Sequence, residues 1–146
     1  MLKHKHLLVR AEVLDPPKDI KEIKTWTKKL IKDIDMKILA GPYAKYCDVK
    51  GNRGLTCVTI IETSHIALHS WDENDPALVQ LDVYSCKDLD EKIVFDYLYK
   101  FQPVRMSYRY FDRETNFKLM KVKEYVDEHL GKYESVHKER SSSDRT

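Results

Sequence analysis

The chain has 146 residues, 42% apolar and 34% charged, with 26 basic and 24 acidic side chains and a net charge of +2. That length and balance fit one globular domain with a real core and exclude a disordered chain. The interspersed charge leaves no basic footprint for nucleic acid, and no apolar run approaches the ~20 residues that cross a bilayer.

The opening MLKHKHLLVRAEV alternates and carries charge throughout, unlike a signal peptide. Cys47, Cys57 and Cys86 are odd in number and widely spaced, so they read as reduced thiols of a cytoplasmic protein rather than a disulfide frame.

Leu7, Val9, Ala11 and Val13 alternate with His6, Leu8, Arg10 and Glu12, which predicts a half-buried first strand. Asp15-Pro16-Pro17 stops it and suits a helix entry, where a missing N–H costs nothing. Ile20, Ile23, Thr27, Leu30 and Ile34 then mark one face of an amphipathic helix. Residues 36–40 read as a short strand ended by Gly41-Pro42, and the stretch to Gly54, with Asp48, Gly51 and Asn52, reads as a loop.

Three strands are predicted next, at 55–62, 65–71 and 78–86, the last after the turn DENDP. Asp88 is the expected cap of a helix with the face Leu89, Ile93, Tyr97, Leu98 and Phe101, ended by Gln102-Pro103. Val104, Met106, Tyr108 and Tyr110 alternate as a strand. A last helix is expected over 117–130, stopped by Gly131, followed by a polar, disordered tail at 132–146. The order β-α-β-β-β-β-α-β-α with hairpin-length central links predicts an α+β two-layer sandwich. Its antiparallel sheet would be covered on one face by two or three helices, in a single domain over 1–131.

Chemistry concentrates in the centre. The text Thr63-Ser64-His65, His69, Trp71-Asp72-Glu73 and Asp82-Val83-Tyr84-Ser85-Cys86 resembles the small prokaryotic form of S-adenosylmethionine decarboxylase. That family carries Glu-Ser-His, a further His, Trp-Pro-Glu and an Asp-x-φ-Thr-Cys segment. The first strand, HKHLLVRAEV, is similar too, so the resemblance runs over residues 4–112. It implies a proenzyme that cuts itself between Thr63 and Ser64, the serine becoming a pyruvoyl cofactor that forms a Schiff base with a substrate amine. It also implies a role for His69 in processing, Cys86 as proton donor, Thr56 in place of a processing serine, and Trp71 and Glu73 at the substrate. A homodimer of cleaved two-chain protomers making decarboxylated S-adenosylmethionine for spermidine follows from the same likeness.

The sequence departs from the family pattern in three places. Thr63 stands where the family has glutamate, Asp72 replaces the proline, and DENDPALVQLDVYSC is longer than the family's spacing. The acidic stretch 72–77 keeps open a pyruvoyl enzyme for arginine or ornithine, since carboxylates pair with guanidinium or ammonium. Thr63 keeps open an uncleaved binding relative.

Ser64 alone would be an ordinary polar residue where strands meet, and Cys86 alone a small buried apolar one. His65 and His69 would make a metal pair on a helix, but on a strand they stand ~13 Å apart and share no ion, so no metal is expected. The tyrosines read as packing between sheet and helix rather than as base-stacking groups, for which Arg105 and Arg109 alone give too little charge.

Overall fold

The alternating N-terminal segment becomes an interior strand of a seven-stranded sheet. A computed structural model describes residues 3–126. It runs β1 (Lys5–Val13), α1 (Ile20–Asp33), β2 (Ile38–Cys47), β3 (Gly54–Ile61), β4 (Ser64–Trp71), β5 (Ala77–Ser85), α2 (Glu91–Leu98), a 3-10 turn (Tyr99–Phe101), β6 (Pro103–Asp112) and β7 (Lys118–Val126). The strand order is β2-β3-β4-β5-β1-β6-β7, and every pair is antiparallel. This is the expected α+β sandwich.

Period-two alternation sorts the side chains. Leu7, Val9, Ala11 and Val13 of β1, Ile66 and Leu68 of β4, and Val79, Leu81 and Val83 of β5 are all buried on one face. Ile23, Trp26, Leu30 and Ile31 of α1 and Val94 and Leu98 of α2 complete that core. Each buried Val, Leu or Ile side chain contributes roughly 1.5–3 kcal/mol. The Trp26 Nε1–H donates to the Tyr97 carbonyl at 2.9 Å and so ties the two helices together.

The caps lie slightly later than the sequence indicated. Asp19 caps α1 by accepting from the Lys21 and Glu22 amides at 2.8 and 3.3 Å, so the prolines precede the helix instead of opening it. Asp90, not Asp88, caps α2 through the Lys92 amide at 3.0 Å. Asp88 pairs with Lys3 at 2.6 Å instead.

Two expectations need larger correction. The stretch after Gly41-Pro42 is not a loop, because β2 continues to Cys47. Irregular register between Ile38 and Tyr43 absorbs Gly41, at φ +94, and Pro42. An edge strand tolerates this because its outer N–H groups need no partner. The C-terminal segment, expected to be a helix over 117–130, is β7 as far as Val126, and the rest lies outside the described residues. Spaced apolar residues there satisfy a helical period as well as a strand, and pairing with the β6 edge, Arg109 opposite Val122, decides the matter.

Gly54 opens β3 where it meets β4. A Cβ there would lie 1.6 Å from the Ser70 carbonyl oxygen. Gly54→Ala is therefore expected to destabilise the fold by at least about 2 kcal/mol, because backbone rather than a flexible side chain must move. A lower urea midpoint at unchanged slope would check this.

Candidate active site

The face of the sheet opposite the helices carries His65, His69, Trp71 and Asp82 of the motif. Strand register lays them out in rows. Ile60, His65, Tyr84, His6 and Phe111 share the first row, Val58, Ala67, Asp82, Leu8 and Arg109 the second, and Thr56, His69, Gln80, Arg10 and Ser107 the third. A cleft of about 590 Å³ opens over the last two rows, bordered by Leu8, Arg10, His69, Gln80, Asp82 and Arg109. A cleft of about 510 Å³ between α1 and α2, lined by Trp26, Lys29 and Tyr97, holds none of the motif residues.

Ser64 begins β4 directly after the tight turn at Glu62–Thr63, which Ile61 and Ser64 close as a pair. Thr63 has φ +54, a left-handed conformation that costs a β-branched residue about 1–2 kcal/mol. Strain therefore sits on the residue before Ser64. The Thr63 and Ser64 hydroxyls both donate to the Glu62 carbonyl, at 2.8 and 3.1 Å. Cys86 follows the end of β5, at the same end of the sheet, and packs partly buried against the core. The turn after it is fixed by the Ser85 hydroxyl, which accepts from the Lys87 amide at 3.0 Å and donates to the Lys87 carbonyl at 2.8 Å.

His69 and Thr56 meet as a pair, Nδ1 to Oγ1 at 3.1 Å. Trp71 lies beside that imidazole, with ring centroids 5.9 Å apart. Neither reaches Ser64. Five positions along a strand separate His69 from Ser64 by roughly 16 Å, and an odd separation puts them on alternate faces.

Trp71 and Glu73, expected at a ligand, brace the β2–β3 loop in this structure. The Glu73 carboxylate accepts from the Gly51 and Arg53 amides, both at 2.9 Å. Trp71 Nε1–H donates to the Asn52 side chain at 2.9 Å. Tyr46 donates to both oxygens of Asp72 at 3.0 and 2.9 Å. The backbone donors of Gly51, then Arg53, hold the Glu73 carboxyl below its ordinary range.

One cluster was missed. His6 and His65 both direct Nε2 at Asp82 Oδ1, His65 at 3.3 Å. Arg113 reaches the other nitrogen of His6, Nδ1, at 2.9 Å, and its guanidinium lies 4.4 Å from the Tyr84 ring centroid. Burial would push the Asp82 carboxyl up, but the hydrogen bonds it accepts from His6 and His65 outweigh that and hold it below the ordinary value. The sequence reading paired His65 only with His69; the signal for this cluster is the cross-strand register of β1, β5 and β4, which spacing along the chain does not carry.

The fold is an antiparallel α+β sandwich with Ser64 at a strained hairpin exit and Cys86 at the same end of the sheet. A family model described as S-adenosylmethionine decarboxylase matches residues 5–114, and the chain belongs to that family. The S-adenosylmethionine decarboxylase proenzymes of Pyrobaculum arsenaticum and Pyrobaculum islandicum are 41% and 42% identical to it over 64 residues, 42% of this chain and 50% of each relative. The chain thus spans about half the length of the curated relatives it matches.

Because the folded-state pKa of Glu73 is lowered, its grip on the loop is complete above the ordinary carboxylate range and is lost as pH falls through the folded value. Amide exchange at Gly51 and Arg53, corrected for its intrinsic pH dependence, should accelerate on such acidification. Glu73→Ala should produce roughly tenfold faster exchange at neutral pH. Unchanged exchange in both cases would remove Glu73 from this bracing role.

Proposed function

We propose that this protein is a self-cleaving, pyruvoyl-dependent decarboxylase of S-adenosylmethionine that supplies decarboxylated S-adenosylmethionine for spermidine synthesis. The observation that carries the proposal is the position of Ser64, first residue of β4 behind a left-handed Thr63, in a chain of this family. Nothing in the family match or the named relatives favours arginine or ornithine as substrate, or a role without catalysis.

Cleavage uses the chain's own atoms. The Ser64 hydroxyl turns from the Glu62 carbonyl to the Thr63 carbonyl carbon, the C–O bond forms, the C–N bond breaks, and the proton passes to the freed amine. Strain at Thr63 favours this exchange because it is released when the turn opens. Loss of the Ser64 α-proton and of the Thr63 carboxylate then leaves dehydroalanine, which water converts to pyruvoyl and ammonia. The residues fit that group, since Ser64 sits at a strand start that becomes a free end on cleavage. The pyruvoyl supplies an electron sink for decarboxylation. Cys86 returns the proton to the substrate carbon, and its fixed turn holds the thiol at the Ser64 end of the sheet.

His69, backed by Thr56, is the base for processing, yet it stands roughly 16 Å from its own Ser64. We read the working unit as a homodimer in which the open face of one protomer brings His69 to Ser64 of its partner. The exposed Leu8, Val58 and Ile60 on that face suit burial against a second copy. No helix among the described residues is long and apolar enough to cross a membrane, and the free thiols of Cys47, Cys57 and Cys86 suit the reducing cytoplasm.

The denatured mass of the purified chain tests cleavage. Two fragments parting between Thr63 and Ser64 are expected, the C-terminal one lighter than its sequence by one ammonia. A single full-length mass after long incubation would overturn the proposal.

Mixing two inactive variants tests the shared site. His69→Ala chains, whole on their own, should be cut when refolded with Ser64→Ala chains that lend them His69. If they stay whole in the mixture while wild-type chains split, the site is completed within one protomer.

A further inference from the structure

The Asp82 cluster is separate from the His69–Thr56 pair. Arg113 can only donate, so the 2.9 Å contact makes His6 Nδ1 an acceptor and leaves the ring proton on Nε2, facing Asp82. Asp82 is ionised, so the His65 nitrogen facing it, at 3.3 Å, also carries a proton. His6 is thereby fixed as the neutral Nε2–H tautomer, and Arg113 already offsets the charge of Asp82, so His65 needs no second proton to balance it. His6 is saturated on both nitrogens. His65 is not: its Nδ1 has no partner among the described residues, and its side chain is 40% exposed.

A metal is the obvious alternative, since the nitrogen and oxygen ligand atoms of His6, His65 and Asp82 all lie within 4.8 Å of one another. Ligation through Nε2 would move the His6 proton to Nδ1, against the donating Arg113. Histidine ligands of metals donate that second N–H to an acceptor. The charge and the donor direction behind His6 are both wrong for a cation bound through it.

Two acceptors stay unfilled on the open face, His65 Nδ1 and Asp82 Oδ2, because both histidines bond Oδ1. Asp82 borders the 590 Å³ cleft, and its row neighbours, Leu8 and Ala67, bring no donor to it. Arg113 is committed to His6 and the Tyr84 ring. One anionic and one neutral acceptor side by side suit a group with several N–H donors and a positive charge.

We propose that Asp82 and His65 bind a primary ammonium group, with His6 and Arg113 as positioning residues that hold Asp82 and set the tautomers. This rests on the decarboxylase reading in one respect: the α-ammonium of S-adenosylmethionine is the group expected there, since His65 and Asp82 lie on β4 and β5 towards the end of the sheet where Ser64 and Cys86 stand. The imidazole then takes the hydrogen bond of an amine that must come to lie beside Ser64, while Asp82 offsets its charge until it arrives.

The test uses the full chain carrying Ser64→Ala, which cannot cleave, so it is independent of processing and turnover. Nitrogen-15 NMR of the imidazoles should show His6 and His65 both as Nε2–H tautomers. Adding S-adenosylmethionine should shift the His65 Nδ1 signal, and an analogue lacking the amine should not. A shift with n-butylamine alone would still support the ammonium site and show that it reads the amine regardless of what bears it. Asp82→Asn should weaken S-adenosylmethionine binding about tenfold and leave the weaker affinity of the amine-free analogue unchanged. Dispersed amide spectra would show that this isosteric variant still folds.

Three results would overturn the proposal. They are an Nδ1–H tautomer at His65, equal shifts with and without the amine, and stoichiometric Zn²⁺ binding that removes both Nε2–H signals.

Discussion

The register of β1, β5 and β4 is the constraint on which the rest depends. Antiparallel pairing with a side-chain period of two places Leu7, Val83 and Ile66 on the helix side. The same pairing puts His6, Tyr84 and His65 together on the other. A slip of one residue in any of these strands would turn its core residues outward and scatter the Asp82 cluster in the same step. Burial and chemistry are therefore specified by one choice. The core holds the register because exposing several aliphatic side chains costs far more than any polar contact on the open face returns.

Backbone strain sits on the residue before Ser64. The left-handed Thr63 is held by the β3–β4 pairs behind it and by two hydroxyls sharing the Glu62 carbonyl. Neighbouring strands over-determine the turn, so a β-branched residue stays in a conformation that it would leave in a free peptide. Gly54, at the other end of the same hairpin, solves the opposite problem by close backbone approach to Ser70. Thr56 and His69 face each other two residues in from that end, so the hairpin fixes their contact directly.

Much of this was legible in the sequence. Alternation located β1, β3, β4, β5 and β6, because each buries one face, and the motif residues fell where those strands put them. The errors have physical causes. Gly41-Pro42 reads as a stop, yet on an edge strand the missing donor costs nothing, so β2 runs on. The segment after Phe117 satisfies two periods at once, and an available sheet edge settled it as β7. The distance of His69 from Ser64 was implicit in the strand assignment, since five residues of extended chain cannot fold back. The roles of Glu73 and Trp71 in bracing, and the whole of the Asp82 cluster, depend on which strands are neighbours, and a motif along one strand does not encode that.

Asp72 shows how a departure from the family pattern is absorbed. A proline at this position stiffens the exit from β4 by fixing its own φ. Here the position carries aspartate, and stiffness comes from outside. Tyr46 of β2 donates to both carboxylate oxygens, while the Asp72 amide donates to the Arg53 carbonyl at 3.2 Å. Glu73 and Trp71 add their bonds to Gly51, Arg53 and Asn52. The β4–β5 turn is thus tied to the β2–β3 loop by side chains instead of by a ring. A covalent constraint persists whatever the loop does, whereas these ties join residues 48–54 to Trp71, whose ring centroid lies 5.9 Å from that of His69.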